Sequence, residues 1–189
     1  MITIDTVPPN FCSRAVGILE GKIVLNPSAG QKAFLLVTDD GAEIPGGVHG
    51  KAAEAIFENP LLLTMRTRLL VYPRTTKNLL EILAVDIEPA GEVVSKQNDM
   101  FLIQGFNVGT RNPGKSQIGI RPNKRSKHQF KKFWITLHGH LTEDLRCVYQ
   151  LKALRKGRKL FILESSPVVP KNDLASVRER TKHRPKVVA

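Results

Sequence analysis

The amino-acid sequence predicts a mainly β protein made of two small units in tandem. Three observations carry this expectation. Most apolar residues fall in short runs that alternate with polar residues at a period of two, the mark of half-buried strands. Turn signals separate the runs at short intervals, among them Asn26-Pro27, Asp40-Gly41 and Pro45-Gly46-Gly47. In the first half only Lys51 to Glu58 is rich in helix formers, and it stops at Asn59-Pro60.

With 189 residues and 41% hydrophobic content, the chain can build real cores. Met1-Ile2-Thr3-Ile4-Asp5 lacks the basic and apolar segments of a secretory signal, and no apolar run nears the ~18 residues of a membrane span. A soluble, cytoplasmic protein without a membrane partner is expected. Cys12 and Cys147 are the only cysteines, which provides neither a Cys-rich zinc module nor a disulfide framework.

Residues 13–25 read as the first strand, with Gly17 and Gly21 permitting strong bending. A second strand is expected over 32–38, closed by Asp39-Asp40-Gly41, and a short third over 42–44, cut off by Pro45. After the helix come strands at 67–72 and 79–87, joined by Pro73-Arg74-Thr75-Thr76-Lys77-Asn78. Three strands, a helix and two strands over residues 12–90 resemble the OB-fold, a five-stranded Greek-key barrel. That resemblance implies a ligand face on the second and third strands, flanked by the loop between strands one and two and the loop between four and five.

A break at Glu88-Pro89-Ala90-Gly91, followed by polar residues to Asp99, places one unit at residues 1–90, a linker at 91–100 and a second unit at 101–168. Strands are expected at 101–108, 117–121, 131–141, 146–154 and 159–165. The second unit resembles an OB barrel without its helix, since Leu141 to Leu145 is long enough only for a turn. Hairpin 68–83 matches the last hairpin of the second unit in plan, with a basic turn between apolar strands.

Charge divides the two units. Residues 1–96 carry a net −2 and residues 97–189 a net +14, which makes a polyanion the expected partner of the second half. Without a long basic amphipathic helix, nucleic acid is favoured over a membrane surface. Within Lys131 to Leu141, the apolar Phe133, Ile135, Leu137 and Leu141 share one parity. Lys132, Trp134, Thr136, His138 and His140 share the other. Cations attract phosphate and an exposed indole stacks on a base, so this second face is suited to a single strand. If the OB resemblance holds, Arg111 and Lys115 lie in the first flanking loop, and Arg155, Lys156, Arg158 and Lys159 around the last turn. Arg121 and the cluster Lys124, Arg125 and Lys127 precede the Trp134 strand. Together with Lys132, Trp134 and His138 these form the expected nucleic-acid site. By contrast, Asn26 to Gln31 in the first unit has no cation, and that unit is expected to act as a scaffold or protein contact.

Gly109-Thr110-Arg111-Asn112-Pro113-Gly114-Lys115-Ser116 satisfies the P-loop pattern G-x-x-x-x-G-K-S. A P-loop opens a helix, whereas Gln117-Ile118-Gly119-Ile120-Arg121-Pro122 alternates as a strand and meets a proline, so a phosphate-contacting hairpin loop is favoured over an NTPase. His138 and His140 have no evident third metal ligand. Neither a nucleophile motif nor a carboxylate pair is present, and no catalytic residue, metal or cofactor is expected. The tail 169–189 is basic, with a cap-like Asn172-Asp173 that allows helix to about Lys182. The function expected is non-enzymatic binding of single-stranded or structured RNA, or of single-stranded DNA. The competing expectation is an assembly factor whose first unit docks on a protein and whose basic half touches nucleic acid.

Overall fold

A computed structural model describes residues 13–26, 28, 33–91, 96–109, 113–120, 133–141 and 147–168. The first five strands are β1 (Arg14–Leu25), β2 (Ala33–Val37), β3 (Glu43–Val48), β4 (Arg66–Thr76) and β5 (Leu79–Pro89), with helix α1 (Lys51–Glu58) and a 3-10 turn (Pro60–Leu63) between β3 and β4. The last five are β6 (Met100–Asn107), β7 (Lys115–Ile120), β8 (Phe133–His138), β9 (Val148–Lys156) and β10 (Lys159–Val168). Each set closes on itself. The first ring runs β1-β2-β3-β5-β4 and back to β1, and the second runs β6-β7-β8-β10-β9 and back to β6. In both rings the third and fifth strands pair in parallel and every other pair is antiparallel. This is the expected OB order, and closure leaves little strand edge open to template aggregation. The helix forms where expected, whereas most of the connection between β8 and β9 and all of the tail 169–189 lie outside the described residues.

The period of two holds in β2 and β7, where Phe34, Leu36, Ser116, Ile118 and Ile120 point inward and are buried. β1 departs from it, because every residue from Ala15 to Gly21 is buried. This strand is shared between the rings: Gly17–Lys22 pair with β4, Lys22–Leu25 with β2, and Arg14–Gly17 with Phe101–Gln104 of β6. Such sharing needs its glycines for close approach as well as for bending. A Cβ at Gly17 would stand 2.2 Å from the Phe101 ring, and one at Gly21 would stand 2.4 Å from the Val37 carbonyl oxygen.

Two strands run through prolines that were expected to end them. β3 continues past Pro45 to Val48, and β4 past Pro73 to Thr76. The reason is the same in each case. Pairing of β3 with β5 begins only at Gly46, and pairing of β4 with β1 ends at Val71, so each proline has one edge without a ladder to interrupt. The β4–β5 connection is therefore a two-residue turn, Lys77-Asn78, with φ of 52° and 66°, the left-handed geometry of a tight hairpin.

Arg155, expected among the turn cations that meet ligand, is instead only 5% exposed. In β9 it shares the inward parity of Leu151 and Ala153, so its guanidinium is desolvated and must be paired. Its Nε donates to Asp99 Oδ1 at 2.6 Å and its Nη1 to both Asp40 carboxylate oxygens at 3.0 Å. The Gly157 N–H also donates to Asp40, at 3.1 Å. Asp40 belongs to the β2–β3 turn of the first ring, Asp99 to the connection between rings, and Arg155 to the second ring. Burial pushes the Asp40 carboxyl up, but the Thr38 hydroxyl, the Arg155 guanidinium and the Gly157 N–H outweigh it and bring it from 3.8 to about 2.

Breaking a buried pair costs roughly 3 to 5 kcal/mol. Asp40 remains 44% exposed and recovers water, so Arg155→Met should lower unfolding stability by about 3 kcal/mol in denaturant titrations at pH 7. Because the folded Asp40 value lies below the unfolded one, its contribution is full above about pH 4 and disappears as pH falls toward 2. Melting temperature should drop in that window, and by less in Asp40→Asn.

Candidate nucleic-acid interface

β7 and β8 pair with Lys115 opposite His138, Gln117 opposite Thr136 and Gly119 opposite Trp134. All six have outward parity, since Ile118, Ile120, Ile135 and Leu137 fill the ring interior. Trp134 is 52% exposed, lies opposite a glycine and has nothing bulky across the ladder to cover it. His138 pairs with Phe161 of β10 and stacks on its ring, with centroids 4.9 Å apart at 30°. Lys156 Nζ lies 5.8 Å from the centroid of the same Phe161 ring. Burial lowers the His138 pKa, and the ammonium groups of Lys115 and Lys159 lower it further. The imidazole therefore meets neutral pH uncharged, as a stacking surface whose buried Nε2 has no hydrogen-bond partner among the described residues.

The structure gathers Lys115, Trp134, His138, Lys156 and Lys159 on and around this face, with Lys156 and Lys159 directly opposite each other at the β9–β10 turn. Arg158 is half-buried beside them. Arg155 leaves the group for the ion cluster described above. Arg111, Arg121, Lys124, Arg125, Lys127 and Lys132 lie outside the described residues. The alternation ends at His138, because Gly139 takes φ of 125° and His140 no longer continues the strand. Thr136 is buried at 4%, against expectation for that face. The cause is Thr75 of the first ring: its hydroxyl donates to the Trp134 carbonyl at 3.2 Å and accepts from the Thr136 N–H at 2.9 Å.

Sequence reasoning missed four contributors. Phe161 completes the His138 stack, and Gln117 lies between Lys115 and Gly119 on the same face. Arg74 and Lys77, at the tip of the β4–β5 hairpin, line an open groove of about 310 Å³ together with Thr75, Gln117 and Trp134. The repeated basic hairpin turn was the available signal for Arg74 and Lys77, but it does not say that one turn reaches the other ring. The first ring's own second and third strands show outward Ala33, Leu35 and Val37 opposite Gly47, Pro45 and Glu43, and none of these six carries an aromatic ring or a cation.

Lys115 and Ser116, which complete the P-loop pattern, open a strand and not a helix. Ser116 is 4% exposed, its hydroxyl donating to the Gly139 carbonyl at 3.0 Å and accepting from the Leu141 N–H at 3.3 Å, so this side chain is committed to the fold. Among the described residues no helix is long and apolar enough to cross a membrane, and no group of three or more His, Cys, Asp or Glu is placed to hold a metal ion.

No protein-family model matches the chain, and no curated protein matches it. Among solved structures, the wild-type single-stranded DNA binding protein from Thermus aquaticus superposes with a TM-score of 0.51 at 10% identity, over 85% of this chain and 95% of that one. A deletion mutant of the Thermus aquaticus protein superposes with a TM-score of 0.45 at 11% identity, over 83% and 95%. Identity this low makes the first likeness one of fold. The chain is a mainly β protein of OB-fold type, and it shares that architecture with a single-stranded DNA binding protein.

Parity separates two neighbouring residues. Ile135→Ala should cost roughly 2 to 5 kcal/mol of stability, since Ile135 is fully buried. Trp134→Ala should cost at most about 1 kcal/mol. Thermal or denaturant unfolding of the two variants measures the difference, and the single Trp should emit as a partly solvated indole that aqueous quenchers reach.

Proposed function

We propose that this chain is a non-enzymatic protein that grips single-stranded nucleic acid on the outward face of β7 and β8. The observation that carries the reading is the union, on one OB-type ligand face, of an exposed Trp134, a neutral His138–Phe161 stack and the cations Lys115, Lys156 and Lys159. Each ring offers a base a π-face, and each ammonium offers a phosphate a charge. A flat stacking surface favours unpaired bases over a duplex, whose bases are already stacked. The fold shared with a single-stranded DNA binding protein supports DNA as the ligand, and the same chemistry accepts RNA.

Trp134→Ala should weaken single-strand affinity by about 1 to 3 kcal/mol, the usual worth of a base–aromatic stack. Affinity should fall steeply with salt, and Lys115→Ala should make that dependence shallower. Fluorescence titration with DNA and RNA oligonucleotides of matched sequence, single-stranded and duplex, measures these effects and ranks the ligands. Absence of single-strand binding, or magnesium-dependent ATP or GTP hydrolysis abolished by Lys115→Ala, would overturn the proposal.

A second reading, an assembly factor that docks through its first ring, draws on one observation. Val24, Leu35 and Pro45 form an outward apolar row across β1, β2 and β3, with exposed Tyr72 and Leu83 paired on the adjoining strands. Leu83→Lys should leave oligonucleotide affinity unchanged in a free-standing binder. Under the docking reading it should release the chain from a protein–nucleic-acid assembly in sedimentation.

A further inference from the structure

We infer, on the strength of the single-strand function proposed above, that the two rings share one nucleotide-binding groove. The β4–β5 turn of the first ring supplies its phosphate contacts and Trp134 of the second ring its stacking surface. The juxtaposition follows from an unfinished strand edge. β8 pairs with β10 only at His138 and Phe161, which leaves the backbone of Trp134 and Thr136 on that edge without a strand partner. Backbone N–H and C=O groups are obligatory hydrogen-bonding groups, and Thr75 partners both through one hydroxyl, donating to the Trp134 carbonyl and accepting from the Thr136 N–H. Two further ties hold the hairpin in place. The Leu80 N–H donates to the Arg158 carbonyl at 2.9 Å, and the Arg74 guanidinium lies 5.8 Å from the Phe133 ring centroid.

The chemistry of the groove then selects its occupant. Arg74 and Lys77 bring two positive charges, and no carboxylate is among the described residues that line the walls. Asn78 and Gln117 each carry both a donor and an acceptor, so they can meet the edge of any base. At about 310 Å³ the groove lies at the small end of ligand sites, which run from about 300 to 1,000 Å³. That is room for one nucleotide, its base against Trp134 and its phosphate toward Arg74 and Lys77. Because the turn is already tied down in the free protein, little ordering remains to oppose binding.

The test uses the full chain and a double variant, Arg74→Gln with Lys77→Asn, in which asparagine tolerates the positive φ at position 77. Single-stranded oligonucleotide is titrated at several salt concentrations while Trp134 emission is followed. The variant should bind about 10-fold or more weakly, quench Trp134 less, and show a log–log salt slope shallower by about 1.4, at about 0.7 per lost phosphate contact. A control that removes two first-ring cations elsewhere, Lys22→Gln with Lys51→Gln, should keep the wild-type slope. If the double variant melts early, Lys77→Asn alone should still make the slope shallower by about 0.7. Wild-type slope and affinity in the Arg74/Lys77 variant, or an equal loss in the control, would overturn the shared groove while leaving the single-strand function standing. Failure of the wild-type chain to bind or to change Trp134 emission would overturn both.

Discussion

Arg155 is the residue on which the arrangement of the two rings depends. A guanidinium at an inward position of β9 cannot stay there unpaired, so it draws in Asp40 from the first ring and Asp99 from the connection between them. The end of the connection, just before β6, is held to β1 by two adjacent residues. The Asp99 N–H donates to the Ile18 carbonyl, and the Asn98 side chain accepts from the Glu20 N–H. Alongside runs the β1–β6 ladder, where Phe101 occupies the space that a side chain at position 17 would need. Ion cluster and ladder act on the same elements, and together they set where the first ring's β4–β5 hairpin meets the second ring.

That placement gives the outward face of β8 its character. Closure of the second ring brings β10 beside β8 at a single residue pair, so part of the β8 edge is left for the Thr75 hydroxyl to complete. Thr136 is covered as a result, Trp134 remains open on one side of it, and the His138–Phe161 stack lies on the other. Trp134 of the second ring and the first ring's turn cations Arg74 and Lys77 therefore line one groove, although the two halves of the chain carry opposite net charge.

The electrostatics follow from burial more than from composition. Of the four cations around the last turn, Arg155 is spent on carboxylates, Arg158 is half-buried, and Lys156 and Lys159 remain at the surface. Burial lowers the His138 pKa and the ammonium groups of Lys115 and Lys159 lower it further, while its ring stacks on Phe161. The excess positive charge of residues 97–189 thus overstates the cations at this turn that are available to a ligand.

What the sequence by itself determined is local. Alternation at a period of two placed Trp134 outside and Ile135 inside, the helix-forming run ended at Asn59-Pro60, and the order of elements pointed to the OB barrel, because each of these depends on residues a few positions apart. The prolines at 45 and 73 misled because a proline's effect depends on whether its edge is paired, and pairing is not a local property. Tertiary structure alone decided the rest. Arg155 finds Asp40 across 115 positions and Asp99 across 56, and Thr75 finds Thr136 across 61. Contacts at such separations leave no periodic trace in the chain. Whether a cation is free for ligand or buried in a clamp, and which turn reaches which face, is therefore settled only when the rings close and the strand edges find their partners.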